Sequence, residues 1–392
     1  MKEPMWTIEL LEPDLDMSEK VPLLSKPSKV KHKRCLVIHG GAGIFDKSRS
    51  TPEQREIYKS ALRVALIAGH SVLVAGGSSV DAAVAAVASM EDCPLFNCAK
   101  GAVFNVAGKN ELEASIMVSR PPSSLSHIPQ ARRGFSATLL RQAKNPSRLV
   151  QGLYERPDLV PHAFLSDATA EVELGKAKLG LELVDPSYFY TEQRWREHRR
   201  GLGLPEEPLP FPPDLSSPEV PREPIDLMPT GTVGAVALDD EGCIAVVTST
   251  GGRTNKLVGR IGDTPSMGSG FWAEEWDKPR KGLSRFFSCL LGYSRNKRHA
   301  VGVSGTGDGD YFIRQATCAT LGSRVKLLGE SLQKASDNVV QHLEEDGGVG
   351  GVIALDSKGT IVFALNCSGM FRGLIRDDGR PLTAIFKEDV LS

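Results

Sequence analysis

Hydroxyl residues gather beside glycines at four places in the second half of this chain: Gly231-Thr232-Val233-Gly234, Thr248-Ser249-Thr250-Gly251-Gly252, Gly259-Arg260-Ile261-Gly262-Asp263-Thr264-Pro265 and Gly305-Thr306-Gly307-Asp308-Gly309. Several of these clusters stand where apolar runs of strand type end. Strand ends can bring hydroxyls together, and glycine lets backbone N–H groups approach a reacting oxygen. Arg260 offers a planar fork for a carboxylate, and Asp263 can hold an ammonium group. Taken alone, Thr232 reads as a strand threonine following a loop-ending glycine. The recurrence of the pattern is what points to chemistry.

The elements that must position these residues follow from periodicity. An apolar strand over residues 35–38 feeds His39-Gly40-Gly41-Ala42-Gly43, which reads as a structural turn rather than a catalytic group. Thr51, Pro52 and Gln54 mark a capped helix start, and Ser78 with Asp81 marks another. The second helix, through Met90, is apolar all round and should be buried. A loop over residues 91–104 leads to a strand, and helices are expected over 133–154 and 168–179. Apolar runs at 232–238 and 244–250 flank Asp239-Asp240-Glu241-Gly242, a hairpin signal, and 352–355 with 361–365 repeat that design. Both faces of these strands are apolar, so each sheet needs cover on both sides, and helices over 312–321 and 326–345 can supply part of it. The outcome is an α/β architecture of sheets between helical layers.

Composition narrows the partners. The 392 residues hold 47 Lys and Arg against 48 Asp and Glu, so no global charge favours nucleic acid or an anionic membrane. No run of about 18 apolar residues argues for a spanning helix. Residues 1–33 read as a weakly ordered leader without the apolar centre of a secretory signal. Seven cysteines without a paired CxxC motif suggest free thiols in a reducing compartment, the cytoplasm. Residues 201–230 end the first half in a linker, with nine prolines between Pro205 and Pro229. Residues 276–298 carry seven Lys or Arg residues and read as a basic insertion.

Taken in order, the motifs resemble the plant-type asparaginase and isoaspartyl peptidase family of N-terminal-nucleophile hydrolases. The likeness runs from His39 to about Gly373, with the linker and the insertion outside it. It rests on His39 to Gly43, Phe96-Asn97, the Thr232 motif, Thr250-Gly251-Gly252, residues 260–265, Gly305-Thr306-Gly307, and Asn366-Cys367-Ser368-Gly369-Met370-Phe371-Arg372-Gly373. Two departures stand out: Cys98-Ala99 follows Phe96-Asn97 where the family carries alanine-glycine, and Thr230 stands where members often carry histidine.

The resemblance implies a four-layer αββα sandwich made as one chain and split into an α part, residues 34–231, and a β part, residues 232–392. It implies self-cleavage of the Gly231–Thr232 bond, with Thr232 as nucleophile and Thr250 as the neighbouring hydroxyl that orients it. Arg260 would grip the substrate α-carboxylate and Asp263 its α-ammonium, Thr306 and Gly307 would form the oxyanion hole, and Asn97 would lie near the nucleophile on the substrate side. No cofactor is required. A structural sodium ion would sit on backbone carbonyls of Met90, Glu91, Cys93, Phe96, Cys98 and Lys100. The implied substrates are asparagine and β-aspartyl dipeptides, and the implied assembly is a dimer of processed heterodimers. Glycosylasparaginase and a taspase-like endopeptidase are alternatives within the fold, and an uncleaved binding protein is the alternative outside enzymes. The chemistry stands on its own terms as well. A threonine hydroxyl needs a base, and a cut before Thr232 would supply one as an α-amine of pKa near ~8 on the same residue.

Overall fold

The computed structural model describes residues 33–209, 231–278 and 297–392. All but the last residue of the leader, all but the first residues of the linker, and all but the ends of the basic insertion lie outside the described residues. Those ends are regular: residues 276–278 and 297–298 belong to paired strands.

The expected capping box holds. Gln54 N donates to the Thr51 hydroxyl and Thr51 N to the Gln54 side chain, opening helix α1, Pro52–Val74. Among the described residues α1 alone is long and apolar enough to cross a membrane. Its Tyr58, Leu62, Ala65 and Leu66 are nevertheless buried in the core beneath the first sheet. Gly69 allows close packing there, since a Cβ would meet Ala82 O and Leu36 Cδ2 at 2.6 Å. Ser78 caps α2, Ser79–Glu91, as its sequence suggested.

Two sheets lie between the helical layers. The larger runs in the order β12 (Leu382–Phe386), β11 (Gly369–Arg376), β1 (Cys35–Gly43), β5 (Val233–Leu238), β6 (Ile244–Thr250), β2 (Leu112–Val118), β3 (Gly134–Leu140), β4 (Phe164–Ser166). The smaller runs β10 (Ile361–Leu365), β9 (Gly350–Asp356), β8 (Lys297–Gly307), β7 (Phe271–Lys278). The α1 and α2 helices, with α3 (Pro146–Tyr154), cover the outer face of the larger sheet. A fourth helix, α4 (Glu192–Gly201), follows before the linker. Beyond the smaller sheet lie α5 (Gly309–Gln315), α6 (Thr317–Ser323) and α7 (Leu332–Glu345), burying Val301, Val303, Val352 and Ala354. The layering is therefore αββα.

Four local expectations need correction. The helix expected over 326–345 starts only at Leu332, after Gly329 breaks the chain's helical course at a φ of 68°. Residues 133–154 are not one helix: β3 takes the first part, where Phe135 and Ala137 alternate into the core with period two. The helix expected over 312–321 is broken at Ala316, whose φ of 45° ends α5 and starts α6. The glycines after His39 do not turn the chain; β1 continues through them with an irregularity between His39 and Ala42.

Alternation also builds the layer between the sheets. Cys35, Val37, Val236, Leu238, Ile244 and Val246 face it from the larger sheet, and Ala300, Ile353 and Leu355 from the smaller. Continued with period two towards one end, the same faces carry His39, Gly234, Thr232, Thr248, Thr250, Ser304 and Thr306. The inter-sheet layer thus changes from apolar to hydroxyl-rich along its length.

Candidate active site

Thr232 lies at this polar end, buried, one residue before β5. Val233 pairs with Ser249, so the register continued by one residue sets Thr232 against Thr250. Its backbone carbonyl accepts from His39 Nδ1 at 2.9 Å, and His39 Nε2 lies 2.7 Å from Ser304 Oγ. The Thr232 hydroxyl sits 3.0 Å from that of Thr264. The Thr250 hydroxyl, expected to serve this purpose, accepts from Gly252 N at 3.0 Å. Burial pushes the His39 imidazole down to about 3, so it is neutral near pH 7. His39, Thr264 and Ser304 are the residues that sequence reasoning did not assign. Strand parity places His39 and Ser304 in the same layer as Thr232, and that was the available signal.

Gly231 fits where a side chain would not. A Cβ there would collide with Thr306 Oγ1 and lie 2.9 Å from Ala42 N. Ala42 N donates to the same Thr306 hydroxyl at 3.3 Å. Thr306 and Gly307 end β8 opposite Gly351 and Gly350, and Gly307 has a φ of 143° that an ordinary side chain would resist. The structure therefore brings Thr306 against the Gly231–Thr232 bond.

Arg260 and Asp263 approach one another around glycines. A Cβ on Gly309 would crowd Asp263 Oδ1 and sit 3.3 Å from Arg260 Nη2. Arg260 Nη2 also pairs with half-exposed Asp310 at 2.9 Å. Asp263 is buried, and its Oδ2 finds no hydrogen-bond partner among the described residues. Burial, with the Glu113 carboxylate near, pushes Asp263 up to about 7. Glu113 itself, on β2, accepts from Gly262 N at 2.8 Å and is raised by burial. This corner offers a fixed guanidinium and a buried carboxylate oxygen, suited to the two charges of an amino acid.

Asn97 bonds on both sides: its Nδ2 donates to Gly252 O at 2.7 Å and its Oδ1 accepts from Val103 N at 3.0 Å. It ties residues 90–100 to the end of β6. In that loop Met90 O accepts from Cys93 N, Glu91 O from Lys100 N and Cys93 O from Phe96 N. The carbonyls of Pro94 and Phe96 turn to one point beside Gly101, 2.5 and 2.8 Å from where its Cβ would be. A side chain at residue 101 would therefore clash with both carbonyls, and the donors this loop offers are backbone oxygens, the type a hard cation takes. Cys98 is buried, and its thiol contacts Met90 O at 3.4 Å.

The family model described as Asparaginase matches residues 32–276 and 292–385. Its break falls inside the basic stretch 276–298. The chain is 32% identical over 361 residues to an isoaspartyl peptidase of Escherichia coli, covering 91% of this chain and 97% of that protein. It is 31% identical over 361 residues to an isoaspartyl peptidase of Salmonella typhimurium, covering 91% and 100%. It is 32% identical over 328 residues to an isoaspartyl peptidase/L-asparaginase of Danio rerio, covering 83% and 86%.

Proposed function

Because this chain belongs to the asparaginase family, we propose that it cuts itself between Gly231 and Thr232 and then hydrolyses asparagine or β-aspartyl dipeptides with Thr232 as nucleophile. The observation that carries the reading is the setting of that one bond. It lies buried where the inter-sheet layer turns polar, with Thr306 against Gly231 and hydroxyl and imidazole partners on Thr232.

In self-cleavage the Thr232 Oγ attacks the Gly231 carbonyl carbon, the C–N bond breaks, and the hydroxyl proton ends on the released amine. Water then opens the ester, leaving a Gly231 carboxylate and Thr232 with both amine and hydroxyl. In the hydrolytic cycle that amine takes the Oγ proton as Oγ attacks the side-chain carbonyl of the substrate. Thr306 and Gly307 stabilise the oxyanion, and the proton passes to the leaving amine. Water releases aspartate from the acyl-enzyme. Arg260 holds the α-carboxylate and Asp263 the α-ammonium; the unpartnered Asp263 Oδ2 supports that assignment. Thr250 and Asn97 support this site from the end of β6. A sodium ion on the carbonyls of residues 90–100, Phe96 among them, would brace that loop and supply no step.

The Arg260–Asp263 corner favours small substrates over a glycosylated or protein substrate. We place the processed protein as a dimer of heterodimers. Five buried thiols and one half-buried thiol, all free among the described residues, support a reducing compartment such as the cytoplasm. Purified protein assayed against asparagine, β-aspartyl dipeptides and glycosylasparagine tests the reading. Turnover of either of the first two supports it; turnover of glycosylasparagine alone, or of none, overturns it.

A further inference from the structure

We infer that Thr264 and His39 form a two-point clamp on Thr232, with Thr264 setting its hydroxyl and His39 its carbonyl. The inference rests on Thr232 being the nucleophile and adds the residues that aim it.

The two bonds act on different parts of one residue. A carbonyl oxygen can only accept, so the 2.9 Å contact requires the proton on His39 Nδ1. Nε2 is then the acceptor, and Ser304 Oγ donates to it across 2.7 Å, which locks the tautomer. His39 and Ser304 are fully buried, so water does not compete for either group. The imidazole, neutral by burial, works as a hydrogen-bond donor and not as a base. At the other end, a β-branched threonine has few χ1 wells, and the 3.0 Å contact with Thr264 selects among them. Either hydroxyl can donate in this contact; with Thr264 as donor, the Thr232 Oγ keeps its proton for the amine and a second lone pair for the carbonyl carbon.

Thr264 is held in its turn. Its carbonyl accepts from the Thr248 hydroxyl at 3.4 Å, and Thr248 meets Ser115 on the next strand. It also follows Asp263 directly, so the group proposed to hold the substrate and the group that aims the nucleophile share one short segment. Cleavage makes the clamp more important. Once the bond to Gly231 is gone, Thr232 is a chain end, and chain ends fray unless tied down. Its remaining ties are then its own carbonyl, its side chain and the strand that follows.

The test compares shape with hydrogen bonding at each point, on the full chain. T264V keeps the shape and loses the hydroxyl, whereas T264S keeps the hydroxyl. H39N can place an amide donor where Nδ1 stands, whereas H39Q reaches towards Ser304 instead. The clamp predicts that T264V slows self-cleavage at least roughly tenfold and lowers kcat of processed protein similarly, with KM within about twofold, while T264S stays within about threefold of wild type. H39N should retain more activity than H39Q. T264V cleaving like wild type overturns the clamp, as does a raised KM with kcat kept, which would make Thr264 a support for Asp263 alone. Equal loss in T264V and T264S, or in H39N and H39Q, also overturns it. Should T264V fail to fold, the His39 pair decides alone. Wild type that never cleaves overturns the reading of Thr232 and the clamp together; wild type that cleaves beside an unimpaired T264V overturns the clamp only.

Discussion

Arg260 and Asp263 stand three positions apart on one loop and crowd the same glycine, Gly309, so a ligand that met one would meet the other. If they hold the two charges of an amino acid, R260K and D263N should each raise KM roughly ten- to hundredfold while self-cleavage proceeds. Normal KM in both variants would remove the assignment. The elevated Asp263 adds a pH signature. Between its unfolded value of 3.8 and its folded value of about 7, the folded chain keeps a proton that the unfolded chain has lost. The group therefore lowers stability as pH rises through that window. An ammonium ligand needs the ionised form, so aspartate binding near pH 6 should release a proton and tighten by up to roughly tenfold per pH unit towards pH 7. Calorimetry in buffers of different ionisation heat reads this directly, and D263N should show no release. Proton uptake on binding would contradict it. At this scale the sequence revealed residue types well: Thr232, Arg260, Asp263 and Thr306 all come to one region. It did not reveal which hydroxyl meets Thr232. That pairing depends on how the segment after β6 folds back across the sheet, and no local pattern encodes it.

Apolar runs of strand length were the most readable feature of the elements, because strands such as β5 and β6 are buried on both faces and read as continuous apolar segments between turn residues. The hairpins β5–β6 and β9–β10 appear where their turns predicted. Residues 134–140 were misread because a short strand beside a helix start carries too few repeats to separate the two periods. Two substitutions probe element packing. Gly302 on β8 lies where the sheets meet, and a Cβ there would come 2.5 Å from Ile244 Cγ2 and 2.7 Å from Val236 Cγ1. G302V should cost about 1–3 kcal/mol in urea unfolding; an unchanged midpoint would mean that the sheets pack more loosely than described. Ala99 has a φ of 36° where the resembling family carries glycine. A99G should stabilise the chain by about 1 kcal/mol, since it relieves a left-handed alanine. A fall in stability would contradict that reading.

The whole molecule is one chain whose two proposed fragments are interleaved: β1 lies between β5 and β11, and β2 pairs with β6. A cut before β5 would therefore leave the larger sheet assembled from both pieces. The basic stretch can be removed without breaking this plan, because β7 and β8 pair up to Lys278 and Lys297 and a short turn can join them. Replacing residues 279–296 with a Gly/Ser turn should leave self-cleavage and asparagine turnover unchanged; a changed preference for acidic peptides, lost at high salt, would make the stretch part of substrate selection. The central claim is the cut itself. Mass spectrometry of the purified full chain, incubated alone, should find one fragment ending at Gly231 and one beginning at Thr232, with T232A intact under the same conditions. A wild-type chain that stays whole, or that is cut at any other bond, would contradict the account.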